Sequence, residues 1–258
     1  MATEPGADRF HRARIVLCSM GLLLLSTSAQ AQLIDFETVP GGSPADQLAI
    51  SDQYESGFGV TFGLDDDGNG EADPGATPFL ELVGGADAGI GFANHQVGND
   101  QADAGFESLL GSYFLRFGTG DTSSGSSSLL IVYSTPVSAA SADLWDIDGS
   151  VSGTEQWSIQ ALDDMGGILE TILSPEGVDF QTDPYEGRPW TWSFDRVSAD
   201  IHAIRVEFVG TKTTNVGLAF DRFSPASASA PPEAPTVSPW LVVLTLAGTS
   251  TLLARRRR

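Results

Sequence analysis

Ile204-Arg205-Val206-Glu207-Phe208 alternates apolar and charged side chains with a period of two. That is the period of a strand, whose successive side chains point to opposite faces. Three apolar groups turn to a core and two charges to water. Trp190, Trp192 and Phe194 share a face in the same way. Further apolar or alternating runs stand at 113–117 (YFLRF), 129–133 (LLIVY), 139–145, 156–162, 168–173 and 217–223, with weaker ones at 33–36, 59–62 and 79–83. Gly, Pro, Asp and Ser break them apart, and helical periodicity is nearly absent. Many short strands with glycine-rich turns predict an all-β fold, an antiparallel β-sandwich. Jelly-roll order is the first choice, because the first and last strands of that arrangement commonly pair.

Outside this region the two ends have a different character. Residues 1–31 read as a signal peptide: Arg9, Arg12 and Arg14 precede the apolar run 15–25, and Ala29-Gln30-Ala31 supplies the small residues, Ala29 and Ala31, that a signal peptidase recognises. The mature chain is expected to start at Gln32. The β-sandwich domain is placed at 32–224, and a linker rich in Pro, Ala and Ser at 225–239. The apolar segment and arginine cluster form a tail at 240–258. Fifteen helical residues reach about 22 Å, short of the roughly 30 Å hydrocarbon core. The four terminal arginines favour the cytoplasmic side, leaving the domain outside.

Pro231-Pro232-Glu233-Ala234-Pro235, the apolar run 240–253 and Arg255, Arg256, Arg257 and Arg258 together resemble the PEP-CTERM sorting signal of Gram-negative bacteria. In that resemblance Pro232, Glu233 and Pro235 form the Pro-Glu-Pro element, which Ala234 interrupts. It implies an exosortase-like processing enzyme as partner and a transient inner-membrane anchor through a short transmembrane sorting helix. It also implies a final place at the cell surface, in the outer envelope or outside the cell, associated with extracellular polysaccharide or matrix. A plain C-terminal anchor is the alternative.

The chain carries 34 acidic against 13 basic side chains, a formal net charge of −21. Such a charge repels phosphate backbones and argues against nucleic-acid binding. It suits solubility or the binding of cations. The single cysteine, Cys18, lies within the signal peptide, so the mature chain has no thiolate chemistry and no disulfide.

Asp65-Asp66-Asp67-Gly68-Asn69-Gly70-Glu71-Ala72-Asp73 packs five carboxylates into nine residues, which repel one another unless a cation or water intervenes. Asp65, Asp67, Asn69 and Asp73 fall at positions 1, 3, 5 and 9 of an EF-hand-type loop. Gly70 falls at the sharp-turn position 6 and Glu71 at position 7, which ligates through its carbonyl. The stretch resembles the calcium loops of dockerin and thrombospondin type-3 repeats. Position 12 is Ala76, so a remaining ligand must come from elsewhere. Structural Ca²⁺ is therefore the expected cofactor, against the alternative of a hydrated acidic surface loop. Asp146 and Asp148 form a weaker metal candidate if their strand continues. Asp35 and Glu37 on the first strand and Asp221 on the last resemble positions that flank a structural calcium in extracellular jelly-roll modules, such as carbohydrate-binding and MAM-like domains.

Neither mature histidine, His95 or His202, sits in a zinc-protease motif, and no Gly-x-Ser-x-Gly elbow is present. The first expectation is thus a non-catalytic, calcium-stabilised exported protein. The second is a lectin-like carbohydrate-binding module using Trp190 and Trp192 as a platform, set against a core role for both indoles. The third is a glycoside hydrolase built on two carboxylates.

Overall fold

The computed structural model describes residues 33–85, 101–117, 127–179, 184–214 and 216–225. The signal peptide and the linker and tail from 226 onward lie outside them, with every sorting residue named above. No helix among the described residues is long and apolar enough to cross a membrane.

Two five-stranded antiparallel sheets face each other. In chain order the strands are β1 (Val60–Asp65), β2 (Phe79–Leu82), β3 (Tyr113–Arg116), β4 (Ser128–Val137), β5 (Ala139–Trp145), the two-residue strands β6 (Gly149–Ser150) and β7 (Gly153–Thr154), β8 (Trp157–Leu162), β9 (Ile168–Leu173), β10 (Trp190–Asp195), β11 (Ile201–Phe208) and β12 (Ala219–Ser224). One sheet runs β1-β4-β11-β8-β9 and the other β10-β5-β12-β3-β2, with β6 and β7 as a separate ribbon. Single helical turns α1 (Glu55–Phe58) and α2 (Glu107–Leu110) complete the described elements. The β-sandwich expected from the alternation is the observed fold. The first described segment also pairs with the last described strand: Ile34 and Phe223 exchange backbone hydrogen bonds of 2.8 and 2.9 Å.

The inward faces meet as the period of two requires. β4 sends Leu129, Ile131 and Tyr133 inward, β8 sends Trp157, Ile159 and Ala161, and β5 answers with Ala140, Ala142 and Leu144. β12 departs from strict alternation. Arg222 has φ +51° and the register slips between Asp221 and Ser224. A residue in the left-handed region rotates the chain there, so both Phe220 and Phe223 enter the core with ring centroids 5.8 Å apart. A smaller cluster of Leu110, Phe114, Trp145 and Ala219 lies apart from the main core, with Leu109 of α2 packed against it.

Candidate functional site

β1 ends at Asp65, and the following loop folds back on the strand. Asp73 donates its backbone N–H to the Leu64 carbonyl at 2.7 Å, and Leu64 donates to the Ala76 carbonyl at 3.0 Å. Within this closed loop the Asp65 carboxylate, only 1 % exposed as a residue, accepts backbone N–H bonds from Gly68, Asn69 and Gly70 at 2.7, 3.0 and 2.9 Å. Gly68 and Gly70 have φ of +76° and +87°, a conformation that glycine adopts at least cost. The turn wraps its amides around one carboxylate and leaves other oxygens facing the same point. Asp65, Asp67 and Asp73 each offer an oxygen within 4.8 Å of the others, a convergence no other group of three His, Cys, Asp or Glu among the described residues matches.

The remaining loop residues divide. The Asn69 side chain donates to Asp67 at 3.1 Å and accepts the Glu71 N–H at 2.8 Å, so it braces the turn. Asp66 stays outside the convergent group and accepts the Ser127 hydroxyl at 2.6 Å. Ala76 joins only through its backbone. A cleft of about 250 Å³ borders the loop, lined in part by Asp65, Asp67, Ser127 and Glu207. Glu207 is far away in sequence, and only the pairing of β11 beside β4 and β4 beside β1 brings it near. No signal in the sequence announces it.

The first-and-last-strand candidate is reorganised. The Glu37 carboxylate accepts the backbone N–H groups of Ser112 and Tyr113 at 2.5 and 3.0 Å, at the start of β3. Asp221 does meet an acidic neighbourhood, but its cross-strand partner is Asp143 on β5. Burial pushes the Asp221 carboxyl up to about 9. The Arg222 N–H opposes this, and the nearby Asp143 and Asp35 charges add to it. Burial also raises Asp143, opposed by the Thr191 hydroxyl and the Arg222 guanidinium, whose Nε lies 3.3 Å from Asp143 Oδ2.

The Asp146–Asp148 pair does not form on one strand face. β5 stops at Trp145, and Asp146 takes φ +66°, which breaks the alternation the expectation needed. Asp148 instead shares the Lys212 ammonium with Glu155, whose Oε1 lies 2.9 Å from Nζ. Burial pushes the Glu155 carboxyl up to about 8 against the pull of Lys212.

The aromatic platform also needs correction. Trp192 is 2 % exposed and belongs to the main core, 5.6 Å from the Phe194 ring. Trp190 is half-buried and packs against the same core. Both side chains point inward because they alternate with the exposed Thr191, Ser193 and Asp195. A sugar ring would have to displace one sheet from the other to reach Trp192.

No protein-family model matches the chain, and no curated protein matches its sequence. Solved structures similar to it include the K2 cleaved adhesin domain of Lys-gingipain, at 11 % identity and TM-score 0.39, covering 74 % of this chain and 96 % of that one. Another is TmCBM61 in complex with β-1,4-galactotriose, at 11 % identity and TM-score 0.29, covering 66 % and 91 %. A third is the family 11 carbohydrate-binding module of the cellulosomal cellulase Lic26A-Cel5E of Clostridium thermocellum, at 11 % identity and TM-score 0.27, covering 70 % and 94 %. No residue role is carried over from any of them.

Proposed function

We propose that this chain is an exported, non-catalytic β-sandwich protein of the cell surface or extracellular matrix. In this reading it is stabilised by calcium in the 65–73 loop and delivered through its signal peptide and C-terminal sorting tail. The observation that carries the cation is the convergence of Asp65, Asp67 and Asp73 on one point at the end of β1. Hard oxygen donors on a glycine-turned loop are what calcium takes, with water or a neighbouring oxygen completing the shell. Glu207, from β11, lines the cleft that adjoins the loop. The export reading rests on the two ends of the sequence.

A ligand that binds only the native state stabilises it by mass action. Calcium is therefore expected to raise the melting temperature of the purified protein, and a chelator to reverse the rise. Asp67→Asn and Asp73→Asn should lose the calcium response while Asp66→Asn keeps it. Asp65→Ala is a poor probe, because it also frees three backbone N–H groups. Melting unchanged by saturating calcium would end the cation reading. Mass spectrometry of protein recovered from its native host tests the export reading, through a mature start at Gln32 and loss of the tail.

A further inference from the structure

Leu130, Leu162 and Ala203 point away from the main core, yet all three are buried and packed together. They floor a groove of about 510 Å³, walled by the acidic loop at Glu71 on one side and by the turn between β8 and β9 at Asp164 on the other. This lies within the size range of small-ligand sites, roughly 300–1,000 Å³. Arg205 lies in the groove, and both its Nε and Nη2 donate to one oxygen of Gln160, at 3.0 and 2.5 Å. The Gln160 amide is oriented from behind, because its nitrogen donates to the Ser158 hydroxyl at 3.1 Å.

Arg205 differs from every other lysine and arginine among the described residues. Arg116 pairs with Glu81, Arg188 with Asp103, Arg196 with Asp200, Lys212 with Asp148 and Glu155, and Arg222 with Asp143. Arg205 alone among them has no carboxylate partner, in a chain of formal charge −21. A guanidinium braced by a neutral amide keeps its charge for a ligand, and carboxylates are the anions its planar fork fits.

We propose that this groove binds a uronic-acid residue of a polysaccharide, with the sugar carboxylate on Arg205. An aliphatic floor accepts the C–H face of a pyranose ring. Glu71 and Asp164 are acceptors for its hydroxyl hydrogens. One guanidinium between two acidic walls matches a ring with one carboxylate and repels densely charged sulfated or phosphorylated chains. The site goes beyond the calcium reading and does not require the ion.

The test is titration calorimetry of the whole protein with digalacturonate, dimannuronate and diglucuronate, each beside its carboxyl-reduced neutral counterpart, in a chelator and then in calcium. At least one acidic disaccharide should bind in the chelator. Its neutral counterpart should bind at least about tenfold more weakly, the scale of a lost charged hydrogen bond. Arg205→Gln should lose the same factor. So should Val132→Glu, which places a charge at an exposed position lining the groove. The proposal is overturned if no acidic disaccharide binds at millimolar concentration, or if acidic and neutral forms bind alike. It is also overturned if binding needs calcium and ignores Arg205→Gln, because the ligand then sits on the acidic loop. Binding in the chelator together with melting indifferent to calcium would uphold the groove and remove the loop reading.

Discussion

Lys212 is the only lysine in the chain, and it lies buried between Asp148 and Glu155. Burial opposes its charge, yet the two carboxylates hold its pKa above the ordinary value. Removing one partner of a buried ion pair strands the others, typically at about 3–5 kcal/mol. Lys212→Met should therefore lower unfolding stability by roughly that much in urea titrations. The loss should be smaller below about pH 8, where Glu155, raised to about 8, carries its proton, than above it, where removing the ammonium strands a charged carboxylate. A loss under about 0.5 kcal/mol, the range of an ordinary surface change, would show that the triad contributes nothing. Spacing alone pointed Asp148 toward a metal, and the fold pairs it with the Lys212 ammonium instead. A side chain's partner is set by what lies across the fold, and Lys212 is 64 residues from Asp148.

At the scale of elements, β1 and the acidic loop act as one unit. A Cβ added at Gly63 would come within 2.6 Å of the Ala72 Cβ, so this glycine lets the loop fold back against the strand. Gly63→Val should force the loop outward, cost about 1–3 kcal/mol as overpacking does, and shrink the calcium-induced rise in melting temperature. An unchanged rise would mean that the loop closes without strand contact. The strands themselves were legible from their period: 139–145 and 168–173 match β5 and β9 residue for residue. The ribbon of β6 and β7 was not legible. Two-residue strands have no period, and their place depends on close backbone approach. A Cβ on Gly153 would lie 2.5 Å from the Lys212 backbone nitrogen.

For the whole molecule, burial has left two carboxyls poised against neutral pH. Asp221 is raised from 3.8 to about 9 and Glu155 from 4.5 to about 8. Between those limits the native state holds more protons than the unfolded chain, so each group's contribution is present at low pH and lost as pH rises through the folded value. In a chelator, the melting temperature should fall as pH rises from about 5 to about 9. A flat or rising profile across that interval would contradict the burial of these groups.

The sequence by itself determined the all-β class, most strand positions, the alternation that buries Trp192, and the sharp turn at Gly70 in the 65–73 loop. Each of these is local: the period of side chains along a strand, or a spacing of a few residues around glycine. Only the tertiary structure decided which charges meet. It set Asp143 beside Asp221, gave Asp148 and Glu155 to Lys212, brought Glu207 to the loop's cleft, and left Arg205 without a carboxylate partner among the described residues. Those contacts depend on which strands lie side by side and in what register. Strand adjacency is fixed by burying two whole sheet faces together, and no short stretch of chain encodes it.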